Sequence, residues 1–361
     1  MKKEDLEYMQ RCLQLAKNGL GNTKTNPMVG AVVVHEGKII GEGFHAKYGE
    51  AHAEVNAINA VKDKSLLAAS TIYVSLEPCS HFGKTPPCSD LIIKSGIKKV
   101  VIACQDTFSE VSGKGIEKLK NAGCEVVVGV LEKEARQLNK RFFTFNEQKR
   151  PYITLKWAQS ADGLMDIERA ENTTKKSFQI SNKASRYFVH QLRASEMGIM
   201  VGTNTVLNDN PSLNLRYFAG NHPTKIVIDR NLKIPKDYKI FNPEAVLIIF
   251  HDENLEQVNS SENVKYIGIN FSKNIISQVM IKLYEENINS ILVEGGAALL
   301  NSFLQDNIWD EAFVIQSEIK LVKGLKAPII EGENCENYQL EDNVISHYKS
   351  SKNKFYKQEI L

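Results

Sequence analysis

No apolar run in this chain approaches the roughly 18–20 residues that a membrane span needs, so no membrane partner is expected. Charge of one sign is equally scarce: 45 Lys and Arg stand against 43 Asp and Glu, a formal net charge of +2. Sequence-independent binding to a phosphate backbone needs a far larger basic excess, which argues against a nucleic-acid partner. Six cysteines in 361 residues are too few for a disulfide scaffold, and a cytoplasmic protein keeps its thiols reduced. The opening stretch MKKEDLEYMQ has acidic residues where a secretory signal would be apolar, so a cytoplasmic location is expected. Fixed-period repeats, low-complexity segments and a G-x-G-x-x-G loop are all missing. What is there, 42% apolar and 24% charged residues, is an ordinary globular composition long enough for two domains.

Strand and helix signals alternate through the first 140 residues. Leu6, Met9, Leu13, Leu15 and Ala16 fall at mostly helical spacing, with Gly19 and Gly21 as the stop. Two β-rich runs, Val29 to His35 and Lys38 to Glu42, flank Glu36-Gly37 and predict a hairpin. Further helices are expected near His52–Lys62, Ser89–Lys94 and Gly115–Asn121, and strands at Thr71–Ser75, Lys99–Cys104 and Glu125–Val128. Interleaving of this kind predicts an α/β layered domain. The basic, polar segment from Arg141 to Pro151 reads as a junction, giving domains of 1–145 and 150–361. Strands at Ile153–Lys156, Met197–Val201, Lys225–Ile228, Val246–Phe250 and Ser290–Val293 are expected in the second domain. Its expected helices are Lys183–Ala194, Ser272–Glu285 and Ala297–Leu304.

The first chemical constellation is His52-Ala53-Glu54 followed by Pro78-Cys79 and, after eight more residues, Cys88. One imidazole and two thiolates are three zinc ligands, and a catalytic zinc site leaves its fourth position to water. A carboxylate beside that water can accept its proton and pass it to a leaving amine, which is the layout of zinc-dependent deaminases. Those enzymes space their paired cysteines two residues apart; here the spacing is eight. His52 and Glu54, two apart, converge only if His52 sits at the very start of its helix. A structural zinc site closed by His81 is the competing reading, and a base deaminase acting on nucleic acid is another. Cys12, Cys104, Cys124 and Cys335 read as core or incidental thiols.

The second domain offers Val293-Glu294-Gly295-Gly296 leading into a helix, and Thr203-Asn204-Thr205 near Asp209. Paired glycines let backbone approach a ligand closely and a helix N-terminus attracts phosphate, although the same residues ordinarily make a turn and a cap.

HAE, then EPCSHFGKTPPC, then RPYITLKWAQSADG together resemble the bifunctional riboflavin-biosynthesis deaminase/reductase family over nearly the whole chain. That resemblance implies a cytidine-deaminase-like three-layer α/β domain followed by a dihydrofolate-reductase-like α/β domain. It implies hydrolytic deamination of 2,5-diamino-6-(5-phosphoribosylamino)pyrimidin-4(3H)-one. Reduction of the ribosyl group of 5-amino-6-(5-phosphoribosylamino)uracil to ribityl by NADPH follows. By the same resemblance His52, Cys79 and Cys88 bind one zinc ion and Glu54 shuttles the proton. Asn26, His45, His81 and Lys84 then match positions that hold the substrate of the deaminase. In the reductase, Lys156, Ser177, Arg193, Leu213, Arg216 and Glu294 match substrate positions, and Ala158, Gln179, Thr205, Asp209, Gly295, Gly296 and Ala297 match the cofactor site. Gln179 stands where the family carries a Trp. The phosphoribosyl pyrimidine is the implied partner, and a homo-oligomer, dimer or tetramer, the implied assembly.

Overall fold

The structure, a computed structural model, describes residues 2–82, 86–108, 112–168, 178–218, 220–256 and 259–351. The chain divides into two compact units, Met1–Lys149 and Arg150–Leu361.

The first unit is built on a five-stranded sheet. Its strands are β1 (Gly30–His35), β2 (Lys38–Phe44), β3 (Thr71–Val74), β4 (Lys99–Ile102) and β5 (Glu125–Val128), in the order β2-β1-β3-β4-β5. β1 pairs antiparallel with β2 and β3, while β3, β4 and β5 run parallel. Glu36 and Gly37 both have left-handed φ, 47° and 73°, as a two-residue hairpin turn of this hand requires. Helices α1 (Lys3–Ala16), α2 (Ala53–Ala60), α3 (Cys88–Lys94), α4 (Lys114–Asn121), α5 (Glu132–Leu138) and α6 (Lys140–Gln148) complete the unit. Pleating sends Ala31 and Val33 into the core with Ala53 and Ala57 of α2. The opposite face of β1, at Gly30, lies against Cys12 of α1. Helices therefore cover both faces, and the unit has three layers. Gly43 lets α2 lie almost on β2: a Cβ there would stand 2.4 Å from the Ala57 nitrogen and 2.6 Å from the Ala53 oxygen.

In the second unit a nine-stranded sheet has the order β11-β10-β9-β8-β12-β6-β13-β16-β15. The strands are β6 (Tyr152–Gln159), β8 (Gly198–Gly202), β9 (Thr224–Ile228), β10 (Leu247–Asp252), β11 (Val264–Ile269), β12 (Ser290–Gly295), β13 (Glu311–Ser317), β15 (Glu333–Leu340) and β16 (Asn343–Lys349). β7 (Leu164–Ile167) and β14 (Gly324–Lys326) form a separate antiparallel pair. The helices are α7 (Lys183–Ser195), α8 (Thr203–Asp209), α9 (Ile275–Glu285) and α10 (Ala297–Gln305). From β11 to β13 all neighbours are parallel. Ile199, Val201, Val227 and Ile249 enter one core, while Met200, Ile226, Ile248 and Phe250 enter the other. Both faces are buried, which is why these strands read as unbroken apolar runs.

The division expected between Arg141 and Pro151 falls at Lys149 and Arg150, but most of that segment is helix: α6 buries Phe142, Phe143, Thr144 and Phe145, and it carries the first unit past residue 145 to Lys149. Ahead of α6, the Asn139 side chain accepts from the Met28 N–H at 2.8 Å and donates to the Met28 carbonyl at 2.9 Å. The aromatic anchors outweigh the basic, polar residues between them. All six cysteines are free thiols, and only Cys335 is exposed among Cys12, Cys104, Cys124 and Cys335.

Candidate functional site

His52 is the residue before α2, with extended backbone (φ −73°, ψ 164°), and Glu54 lies in the first turn. That break from helical geometry is what lets two side chains at i and i+2 meet. Cys79 follows β3 by way of Pro78, and Cys88 opens α3. His52 Nδ1 lies 3.6 Å from Cys79 Sγ and 3.4 Å from Cys88 Sγ, and the three ligand atoms are all within 4.8 Å of one another. An ion with bonds of about 2.0 Å to nitrogen and 2.3 Å to sulfur sets tetrahedral N and S ligands about 3.5 Å apart. The triangle therefore fits zinc. His81 is not part of this ligand group.

Cys88 and its backbone N–H (3.3 Å) donate to Cys79, and the Cys79 thiol is pulled down to about 4, chiefly by the Cys88 hydrogen bond. Glu54 is buried beside them, and that burial, with Cys79 adding to it, pushes its carboxyl up to about 7.

His52, Glu54 and Cys79 open on a cavity of about 320 Å³, also lined by Asn26, His45, His81, Asp106 and Phe108. Buried His45 has its pKa lowered by burial. With the Nδ1 proton given to the Ala51 carbonyl (3.2 Å), His45 Nε2 accepts from Asn26 Nδ2 at 3.2 Å. Asn26 is thereby fixed with its amide at the cavity. Among the described residues, His81 Nδ1 is buried with no hydrogen-bond partner, as expected of a group reserved for a ligand. Lys84 lies outside the described residues.

Sequence reading missed Asp106 and Glu77. Burial pushes the Asp106 carboxyl up to about 6. Glu77 accepts four backbone N–H groups, from Asp106, Gly113, Gly115 and Ile116, at 2.9–3.2 Å. Three of them surround the start of α4, where the helix dipole favours a negative charge. The signal was a Glu directly before Pro-Cys, but its partners are nearly 40 residues away.

A second constellation lies in the other unit. Arg193 of α7 meets Glu294 at the end of β12 through paired hydrogen bonds, and Lys156 Nζ lies 3.7 Å from Glu294 Oε2. Burial opposes the charge on Glu294, yet Arg193 and Lys156 hold its carboxyl down to about 2. Lys156 has its pKa lowered by burial. Arg193 also donates to the Asn214 carbonyl at 3.3 Å, so this guanidinium, matched to a substrate position in the sequence, is already tied to the protein at three points. Arg216 keeps an exposed side chain, and Leu213 is buried. His190, missed in the sequence, stands beside Arg193 and Arg216.

Gly296 follows β12 with φ 27° and precedes α10; a Cβ there would meet Thr205 Oγ1 at 3.1 Å. Bare backbone, a hydroxyl and a helix N-terminus thus meet at one place, a cradle suited to a phosphorylated cofactor. Ala297 begins α10, Asp209 ends α8 and Ala158 lies on β6, while Gln179 is exposed. Ser177 lies outside the described residues.

Comparison with known proteins joins these observations. Residues 2–104 match the family model of the cytidine and deoxycytidylate deaminase zinc-binding region, and residues 151–351 match that of the RibD C-terminal domain. The riboflavin biosynthesis protein RibD of Aquifex aeolicus is 44% identical over 324 residues, 89% of each chain. Its Escherichia coli counterpart is 35% identical, over 86% of this chain and 87% of its own. A crystal structure of a diaminohydroxyphosphoribosylaminopyrimidine deaminase/5-amino-6-(5-phosphoribosylamino)uracil reductase from Thermotoga maritima is 36% identical. It superposes with a TM-score of 0.86 over 96% of this chain and 99% of that one. Acinetobacter baumannii RibD gives a TM-score of 0.85 at 32% identity, over 96% and 99% of the two chains.

A deaminase unit followed by a reductase unit defines the class, a two-activity enzyme combining a hydrolase and an oxidoreductase. The chain belongs to the riboflavin biosynthesis protein RibD family. Its second unit is accordingly a reductase domain and not a nucleic-acid-binding module. No helix among the described residues is long and apolar enough to cross a membrane.

Proposed function

We propose that the first unit deaminates 2,5-diamino-6-(5-phosphoribosylamino)pyrimidin-4(3H)-one and that the second reduces the ribosyl group of the product to ribityl. The observation that carries the first half is the His52, Cys79 and Cys88 triangle, with the Glu54 carboxyl buried in the same cavity. His52, Cys79 and Cys88 would hold a zinc ion, which would supply the polarisation that makes water a nucleophile. Glu54 accepts a proton and returns one to the departing amine. Asn26 and His45 orient the pyrimidine, Asn26 through an amide that both donates and accepts. His81 offers its unpartnered Nδ1 to the same substrate.

In the second unit NADPH supplies the hydride. Gly295, Gly296, Ala297 and Thr205 form the cradle for its phosphates, and Ala158, Asp209 and Gln179 are assigned to the same cofactor. Arg216 grips the substrate phosphate with an exposed guanidinium. Lys156 and Glu294, anchored by Arg193, hold the sugar end. Remote grip on the phosphate orients the reacting carbon for hydride transfer.

The test is to incubate the purified protein with the phosphoribosyl diaminopyrimidine, with and without NADPH, following ammonia and nicotinamide absorbance. Ammonia is expected in both mixtures and NADPH oxidation only where it was added. Ammonia release that persists after zinc has been removed by a chelator, or NADPH oxidation before any ammonia appears, would overturn this assignment.

A further inference from the structure

Three consecutive backbone groups between α8 and β9 are held by side chains, two from α7 and one from later in the same connection. Arg193 donates to the Asn214 carbonyl at 3.3 Å, the Leu215 N–H donates to His222 Nδ1 at 3.0 Å, and the Arg216 N–H donates to His190 Nδ1 at 3.3 Å. The Asn214 carbonyl and the Leu215 N–H belong to one peptide plane, so that plane is gripped at both edges. Just before it, buried Leu213 has left-handed backbone, φ 51°. That conformation is unfavourable for leucine and persists only where the surroundings enforce it. The His190 ring stands edge-on to Tyr217, with centroids 4.6 Å apart.

An imidazole nitrogen accepts a hydrogen bond only when it carries no proton. Both bonds therefore require neutral rings with the hydrogen on Nε2. For His190 this is enforced: burial, then the charges of Arg193 and Arg216, hold its pKa down to about 4. His190 also sits one turn before Arg193 on α7, so one helix face grips both this segment and Glu294.

We propose that His190 and His222 are positioning residues of the reductase reaction, accepting successive N–H groups to fix the backbone from which Arg216 reaches the anionic group of the substrate. The proposal rests on the reading of Arg216 as a substrate-binding residue. Without the two acceptors, those N–H groups turn to water and the segment samples other geometries. Substrate must then order it on binding, which weakens affinity, while hydride transfer inside the bound complex keeps its geometry.

The experiment compares His190→Leu, His190→Asn, His190→Gln, the same three changes at His222, and Arg216→Ala, all in the full-length protein. Asn places an acceptor oxygen near the position of Nδ1, whereas Gln places one near Nε2. Reductase KM and kcat are measured with the aminouracil substrate, together with competitive inhibition by inorganic phosphate as a probe of the anion site. Each Leu variant is expected to raise KM about five- to tenfold with kcat within about twofold, and to weaken phosphate inhibition in parallel. The Asn variants should restore both quantities and the Gln variants should not. Arg216→Ala should raise KM as well, and adding His190→Leu to it should cost little more, because both act through one contact.

Wild-type KM in the Leu variants alongside a raised KM in Arg216→Ala overturns the histidine clamp and leaves the substrate site standing. Wild-type KM in Arg216→Ala overturns the site reading and the clamp with it. If the Leu variants fail to fold, the Asn and Gln pair decides: rescue by Gln, or failure of Asn in a folded protein, overturns the proposal.

Discussion

Arg193 and Glu294, 101 residues apart in sequence, face each other through two parallel hydrogen bonds, Nε to Oε1 at 2.6 Å and Nη2 to Oε2 at 2.9 Å. Both side chains are largely buried, and Lys156 is the third charge of the group. Removing one partner from such a group leaves the others charged and desolvated, which costs about 3–5 kcal/mol. Glu294→Ala should therefore lower the unfolding free energy of the reductase unit by roughly that amount and abolish NADPH oxidation. Chemical denaturation followed by a probe in the second unit checks it; a loss below about 1 kcal/mol would show that the pair is solvated.

Glu54→Gln keeps the shape of the side chain but cannot accept a proton. Ammonia release should fall by at least about a hundredfold. Zinc content, read by elemental analysis, should stay at one per chain, and NADPH oxidation with supplied aminouracil should be unchanged. A variant that lost its zinc would instead make Glu54 a ligand.

The four N–H groups on Glu77 give a prediction about stability alone. Glu77→Gln turns one acceptor atom into a donor that faces two N–H groups, so a destabilisation of about 2–3 kcal/mol is expected. Thermal unfolding of the variant measures it. An unchanged melting temperature would mean the N–H groups of α4 find other acceptors.

His190 brings a pH dependence with a definite sign. In the unfolded chain it takes up a proton near pH 6.5, but in the folded protein not until about pH 4. Between those values the unfolded state binds more protons, so this contribution to stability is complete above about pH 6.5 and is lost as the pH falls toward 4. Arg193, Arg216 and Lys156 reinforce the effect and Glu294 opposes it. Melting temperatures at pH 7.5 and 5 should fall further apart in the wild type than in His190→Asn, which cannot titrate. Equal differences in both proteins would rule the histidine out as the source.

What was legible in the sequence was local. Glu36-Gly37 between two β-rich runs specified its hairpin, and the apolar runs of β8 to β10 specified strands. His52, Glu54, Cys79 and Cys88 were readable because each chemical type is scarce and their order is characteristic. β15, with the sequence ENCENYQL and almost every residue exposed, had no alternation to betray it, since an edge strand facing water needs none. His190, His222 and Glu77 were silent for another reason. Each works by accepting backbone N–H groups from segments 7–39 residues away, and a backbone amide has no side-chain identity to read.

Gly43 shows how far such silence extends. It lines neither the cavity nor the ligand triangle, yet any side chain there would drive into Ala53, the residue between His52 and Glu54. A methyl group on β2 would thus be felt as a misaligned ligand and a misplaced proton carrier on the neighbouring helix. The deaminase site therefore depends on a gap as well as on its ligands. A scan of every substitution would find at residue 43 an intolerance with no chemistry of its own, inherited wholly from the distance it maintains.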